Sequence, residues 1–400
     1  MAKRPSSKSQ LKTASLFAGI GGLDLGLHRA GHRLRVLCEI DEAANAVLTE
    51  RFSNTTRFGD IRALDCLPAE IELVTGGFPC QDLSQAGETK GIHGKESGLV
   101  KHIFRILRKR SVPWVLLENV PFMLQLRRGA AMRYILDELE ELGYQWAYRV
   151  IDTRAFGLPQ RRERVFLLAS LVSDPAGHLL VDDAGAPKNK YGYEGRACGF
   201  YWTEGNRGLG WAVNALPTLK GGSGLGIPSP PAIWMPDGQF VTPDIRDAER
   251  LQGFEPDWTL PASQVNSDRY RWKLVGNAVS VPVAEWLGKC IRRQSRQLQS
   301  SPIPMMENGR LPKAAFGSRR DGRHAVSVSS WPMFTPAPHL KEFLMYAARP
   351  LSARAVRGFK TRLEKSSLKS PDSFKRDLTL YLDRALKNEK SKARRTKVSR

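Results

Sequence analysis

The side chains best suited to covalent chemistry stand at the ends of short apolar runs. One run leads into Gly76-Gly77-Phe78-Pro79-Cys80-Gln81-Asp82-Leu83-Ser84. A free Cys is most often a small buried core residue. Here Gly, Pro, Gln and Ser surround it and describe a shaped loop. A thiol just past the carboxyl end of a strand also lies where open α/β sheets bind ligands. As a thiolate it is a nucleophile. A second run ends in Leu117-Glu118-Asn119 and brings a carboxylate to the same edge, although Asn119 suits a helix cap equally well. A third segment, Gln160-Arg161-Arg162-Glu163-Arg164, enters a strand with Arg162 and Arg164 on one face. They point toward phosphate or a base carbonyl, where an isolated RRxR is more often a solvated patch.

A second group of residues reads as a cofactor site. Ser15-Leu16-Phe17-Ala18-Gly19-Ile20-Gly21-Gly22-Leu23 follows a strand and opens a helix, and glycines at such a turn let the backbone approach a ligand closely. Glu39 ends the next strand about 20 positions on, where a carboxylate can take a ribose diol. Gly59-Asp60-Ile61 offers a further carboxylate for an adenine amino group. Spacing alone leaves a nicotinamide dinucleotide open. The absent third glycine and the two acidic strand ends favour an adenosyl ligand without a pyrophosphate, S-adenosylmethionine.

The elements that must carry these groups alternate. Strand-like runs at Ala14 to Phe17, Leu34 to Glu39, Leu73 to Thr75, Trp114 to Glu118 and Arg164 to Leu168 are separated by helical patterns at Glu42 to Arg51, Leu99 to Arg110 and Ala130 to Leu142. That alternation predicts a mostly parallel, doubly wound α/β sheet, and Gly143 reads as a left-handed helix terminus. From Leu171 to Asp244 the texture is rich in Gly, Pro and aromatics. Helical patterns return at Asp244 to Gln252 and Val281 to Gln294. Residues 300–335 read as a Pro/Ser/Gly-rich linker, with amphipathic helices after it at Leu340 to Ala348 and Ser373 to Lys387.

Composition narrows the partners. The five cysteines are scattered without a CxxC pair, which argues against disulfides and a zinc site and for a reducing compartment. No segment approaches the ~20 apolar residues of a membrane span, and the basic, polar N-terminus lacks a signal core, so export is not expected. The net charge of +22 asks for a polyanion. Residues 301–400 hold 23 Lys/Arg against 8 Asp/Glu, so most of that surplus lies away from the candidate site. The extension reads as an accessory DNA-contacting segment or a solvated tail.

Taken in order, these segments resemble the DNA (cytosine-5)-methyltransferase family of the bacterial restriction-modification type. The motifs are Phe17-Ala-Gly-Ile-Gly-Gly22, Glu39-Ile-Asp41, Gly59-Asp60-Ile61, Pro79-Cys80-Gln81, Glu118-Asn119-Val120, Gln160-Arg-Arg162-Glu-Arg164, Arg246-Asp-Ala-Glu-Arg-Leu-Gln-Gly-Phe254 and Gly276-Asn277-Ala-Val279, across residues 12 to 292. The resemblance implies a Rossmann-like methyltransferase fold and transfer of a methyl group from S-adenosylmethionine to C5 of a specific cytosine in double-stranded DNA, by base flipping. It implies Cys80 as the nucleophile at C6, Glu118 on the cytosine N3 and amine, Arg164 on the base O2, and Arg162 on loop and phosphate. Phe17, Gly19, Gly21, Gly22, Glu39, Asp60, Ile61, Pro79 and Asn277 would hold the cofactor. Gln81, Ser84, Gln160, Thr218 and Leu219 would touch DNA, and the glycine-rich stretch from Ser84 to Gly98 would close as a lid.

Domain expectations follow: a flexible 1–11, a catalytic domain of 12–170 and 245–295, a loop-rich target-recognition domain of 171–244, a linker of 296–338 and a basic helical extension of 339–400. The expected setting is a monomer in the bacterial cytoplasm, at the nucleoid, without metal or membrane. Its partners are DNA and, in a restriction-modification pair, a cognate restriction endonuclease. The alternative is a tRNA cytosine-C5 methyltransferase.

Overall fold

The computed structural model describes residues 10–79, 97–188, 192–204, 208–221, 230–306 and 309–398. Its first half alternates as expected: β1 (Lys12–Leu16), α1 (Gly22–Arg29), β2 (Arg33–Cys38), α2 (Glu42–Arg51), β3 (Thr56–Phe58), β4 (Leu73–Gly76), α3 (Val100–Lys109), β5 (Trp114–Asn119), α4 (Ala130–Glu141) and β6 (Gln145–Asp152). Gly143, at φ 82°, follows the end of α4 in the left-handed region. Then come β7 (Gln160–Arg161), β8 (Glu163–Ser170) and a short α5 (Ala176–Leu179).

β3, β2, β1, β4 and β5 lie side by side and parallel, and β8 runs antiparallel between β5 and β6. Every residue of β4 and β5 is buried, as expected where helices cover both faces of a parallel sheet. Alternation divides their side chains. Val115 and Leu117 join Ile103, Phe104 and Leu107 of α3 in one core, while Trp114 and Leu116 face Leu23 and Leu27 of α1 in the other. The strand order reverses direction between β1 and β4, so their carboxyl ends open a crevice at the topological switch point.

The second half departs further from expectation. β9 (Cys198–Phe200), β10 (Ala212–Val213), β11 (Leu216–Pro217), β12 (Ala232–Trp234) and β13 (Phe240–Thr242) lead into α6 (Ile245–Arg250), α7 (Tyr270–Asn277) and α8 (Val281–Arg292). Residues 296–338 are not a linker: β14 (Ile303–Pro304), β15 (Ala314–Ser318) and β16 (Gly322–Ala325) extend the central sheet to ten strands among the described residues. The small residues Ala314, Ala315 and Gly317 let β15 lie antiparallel along β6, with Phe316 opposite Ala147.

The extension is likewise part of the fold. After α9 (Leu340–Phe343), β17 (Arg349–Pro350) pairs with β13 and completes a five-stranded sheet, and α10 (Ala353–Glu364) and α11 (Asp372–Val398) follow. The helix expected through Ala348 stops at Phe343. The N–H groups of Met345 and Tyr346 go instead to the buried carboxylate of Asp247 in α6, at 3.0 and 3.1 Å. One face of this second sheet, with Ile233 and Val241, packs toward α6, α7 and α9. The other, with Phe200, Trp234 and Phe240, is covered by Phe359 of α10 and Phe374 of α11.

Phe374 is fully buried, with its ring centroid 5.1 to 5.5 Å from those of Phe200, Trp211, Trp234 and Phe240. Phe374→Ala therefore costs roughly 3–5 kcal/mol of stability, read as a lowered thermal midpoint. An unchanged midpoint would mean that the extension is not integral to this sheet. Asp24 in α1 is buried, accepts from Ser15 Oγ at 3.1 Å and has its other oxygen unpartnered. Burial pushes its pKa from 3.8 up to about 7. Stability associated with the protonated acid is fully present below the unfolded value and is lost as pH rises through about 7. Asp24→Asn is expected to flatten that decline between pH 4 and 8, by an amount on the order of a few kcal/mol. Chemical denaturation across that range measures it.

Candidate active site

The crevice between β1 and β4 is bounded on one side by the glycine turn. Phe17 and Gly19 both take positive φ, 57° and 56°, and a side chain added at Gly19 would meet no atom within 4 Å. The turn is thus open exactly where a ligand would approach, whereas Gly22 is tight against protein: a Cβ there would lie 2.4 Å from the carbonyl oxygen of Val279. That contact joins the first motif to the last. Glu39, at the end of β2, accepts from the Gly19 N–H at 2.7 Å and from those of Ile40 and Asp41 at 2.9 Å each. Burial raises its pKa against those hydrogen bonds. Its carboxylate holds the turn and keeps acceptor capacity for a ribose hydroxyl.

Asp60 follows β3. Its carboxylate bonds to the Arg62 backbone N–H at 2.8 Å and the Arg62 guanidinium at 2.7 Å, which lowers its pKa. Ile61 is buried beside it, and its carbonyl accepts from Arg105. The open glycine turn, the carboxylate of Glu39 and the oxygen-bearing loop at Asp60 fit an adenosyl group with a free ribose diol. Asn277, at the end of α7, is exposed and lies against Gly221, whose Cβ would come within 2.4 Å of Asn277 Oδ1.

On the opposite side of the crevice, Phe78 is buried and Pro79 half-buried after β4. Cys80, Gln81 and Ser84 lie outside the described residues. Glu118, at the end of β5, is buried, and its Oε1 forms an ion pair with Arg164 Nε at 3.1 Å. Gly77 makes room for that carboxylate, since a Cβ there would sit 3.3 Å from Glu118 Oε2. Desolvation raises the Glu118 pKa, with Arg164 and then Arg162 opposing. Glu118 shares a cavity with Phe78, Asn119, Met123 and Met132. A buried carboxyl with a raised pKa beside a guanidinium can donate to, or accept from, an amidine edge such as that of a pyrimidine.

Other expected contacts turn inward. Arg162 is buried, and instead of phosphate its guanidinium meets the carbonyls of Leu219 and Gly276 at 3.1 Å each and of Ala278 at 2.7 Å. Burial drives its pKa well down. Gln160, expected on DNA, is also buried. It accepts from the Leu219 N–H at 3.2 Å and donates to the Leu251 carbonyl at 2.8 Å. Leu219 is itself buried, so its side chain does not present a DNA-reading surface. Thr218 is half-exposed, with its hydroxyl donating to the Arg161 carbonyl at 2.9 Å.

Sequence reasoning missed the remainder of this network. Gln252 donates to the Val275 carbonyl at 2.9 Å, Ser280 donates to Gln252 at 2.7 Å, and Ser280 and Thr153 hydroxyls lie 3.1 Å apart. Trp258 was also missed; its indole N–H donates to the Ile20 carbonyl within the glycine turn, at 2.9 Å. A polar residue set in an apolar stretch, such as Gln252 between Leu251 and Phe254, was the available signal.

A family model described as C-5 cytosine-specific DNA methylase matches residues 11–195. The chain is 45% identical over 389 residues to the Type II methyltransferase M2.BsuMI of Bacillus subtilis, covering 94% of this chain and 99% of that protein. It is 31% identical to the Type II methyltransferase M.NgoBI of Neisseria gonorrhoeae, over 68% of this chain and 90% of the relative. The first match is long enough to include the C-terminal extension. Among solved structures, the Entamoeba histolytica methyltransferase EhMeth aligns with a TM-score of 0.51 at 16% identity, over 71% of this chain and 98% of that one, which bears on the fold alone. Among the described residues no helix is long and apolar enough to cross a membrane. With motifs, fold and relatives in agreement, the chain belongs to the C-5 cytosine-specific DNA methylases and is a DNA (cytosine-5)-methyltransferase that uses S-adenosylmethionine as methyl donor.

Proposed function

We propose that the protein methylates C5 of a specific cytosine in duplex DNA after extruding the base, with Cys80 adding covalently at C6, as the methylase of a restriction-modification system. The observation that carries this reading is the Glu118–Arg164 ion pair, its carboxyl buried, at the carboxyl end of β5 beside the strand that leads to Pro79. The target atom is inaccessible in a stacked duplex, which is why the base must leave the stack. The Type II names of the relatives support pairing with a restriction endonuclease that acts on the same site.

The chain's own groups divide the work as follows. Cys80 Sγ, as thiolate, forms a bond to C6, and the displaced ring electrons are stabilised at N3 and O2. Glu118, whose pKa is raised by burial, hydrogen-bonds N3 and the exocyclic amine. Arg164 offsets charge at O2, which makes C5 nucleophilic. Bound S-adenosylmethionine supplies the electrophilic methyl group. Loss of the C5 proton to a base and elimination of Cys80 then restore aromaticity. Glu39 and the glycine turn orient the donor. Gln160 and Arg162 grip both the N–H and the carbonyl of Leu219, and so set the position of Pro217–Lys220 relative to Arg164.

Radiolabelled methyl from S-adenosylmethionine is expected to enter duplex DNA and not bulk tRNA; label entering tRNA alone would overturn the reading. On a duplex carrying 5-fluorocytosine, which has no C5 proton to lose, the wild type should form a covalent adduct and Cys80→Ala should bind without one. Methylation at the wild-type rate by Cys80→Ala would remove Cys80 as nucleophile. Glu118→Gln is expected to slow transfer by roughly 10²–10⁴-fold. If the acid form of Glu118 is the active one, the wild-type rate should also fall as pH rises through the raised Glu118 pKa. A Gln variant with a wild-type single-turnover rate would sink the role given to Glu118.

A further inference from the structure

Between β5 and α4 the chain makes a turn with an unusual backbone. Arg127 (φ 49°, ψ 45°), Arg128 (φ 57°, ψ 30°) and Gly129 (φ 78°, ψ 25°) are left-handed in succession. That region suits glycine, and asparagine or aspartate next. Two consecutive arginines are poor occupants on conformational grounds, and strained residues of this kind concentrate at functional sites.

The turn is held from beneath while its arginines stay outside. Met123 and Leu124 before it are buried, and Gly129 is pressed by Leu311, whose Cδ1 would lie 2.3 Å from an added Cβ. The Arg128 carbonyl accepts from Arg133 Nε at 3.3 Å, and Arg133 also reaches the Gly309 carbonyl at 2.6 Å. Arg127 and Arg128 are nevertheless exposed. Just beyond, Met132 is buried in the core beneath α4. The turn joins the carboxyl end of β5, which carries Glu118, to the start of α4, so the arginines belong to the same edge of the sheet as that carboxylate.

We propose that this turn is a phosphate clamp, with Arg127 and Arg128 held against the backbone of the target duplex beside the extruded base. The inference rests on the methyltransferase reading above. Guanidinium groups match phosphate oxygens in geometry and charge, and backbone contacts of this kind set register without reading sequence. The turn's anchoring fixes where the charges stand, so the conformational cost is borne for position.

Arg127→Asn and Arg128→Asn test this, because asparagine tolerates the left-handed region while losing the charge. Binding to a target duplex, followed by fluorescence anisotropy over a salt series, should weaken roughly 3- to 10-fold per arginine. The slope of log affinity against log salt should become shallower by about one for each. The thermal midpoint should hold or rise, as strain is relieved. Arg128→Lys should retain most of the salt slope. Should either Asn variant fold poorly, the Arg127→Gly/Arg128→Gly double variant gives the same readout. Unchanged affinity and salt slope in folded variants, beside a wild type that methylates DNA, overturns the clamp alone. A wild type that neither binds nor methylates duplex DNA overturns the reading beneath it.

Discussion

Arg162 places a guanidinium in the interior, where an unsolvated charge costs several kcal/mol unless its hydrogen bonds are made. It meets three carbonyls on two distant stretches of chain: Leu219 after β11, and Gly276 and Ala278 at the end of α7. Its Nε remains without a partner, and burial pulls its pKa well down. Removing the side chain would take this donor from all three carbonyls, with only that of Ala278 keeping a second one from Gln252, so both stretches are tied to β8 by one residue. Gln160 and Gln252 extend the arrangement to Leu251 and Val275. The region between the two sheets is thereby closed by directional polar contacts, which tolerate misplacement poorly and so define a single arrangement.

That rigidity matters at the crevice. Glu118 and Arg164 face each other from neighbouring antiparallel strands, and both depend on the register of β5 and β8 for their 3.1 Å separation. The glycine turn depends in the same way on distant segments, with Val279 pressing on Gly22 and Trp258 bonding to Ile20. The two ends of the site are therefore braced by the same late part of the chain, from Gln252 to Ser280.

Much of the central sheet was legible from sequence, because strand burial on both faces leaves continuous apolar runs and helices a 3.6-residue pattern. Glu118, Arg164 and the glycine turn were legible for the same reason: they terminate such runs. Gln145–Asp152 was missed because Gln145, Arg149 and Asp152 interrupt its apolar character, and the burial of Arg149 through bonds to Ser329 and Asp183 is a tertiary effect. β14 to β16 were hidden by Pro, Ser and Gly, which read as linker although β15 lies along β6 and β14 forms the sheet edge. Gln160 and Leu219 were placed on DNA because residue type does not reveal which way a side chain turns. Their inward orientation follows from partners more than 50 residues away.

The second sheet draws its last strand and its aromatic cover from residues 349–382, over a hundred residues beyond β13 in the case of its central phenylalanine. During synthesis β9 to β13 emerge long before α10 and α11 exist to shield Phe200, Trp234 and Phe240. The nascent chain therefore carries an uncovered aromatic face through that interval. A chain ending after the last sequence motif would keep the motif residues and leave the aromatic face of the second sheet uncovered. The second sheet is thus finished only when β17, α10 and α11 are in place.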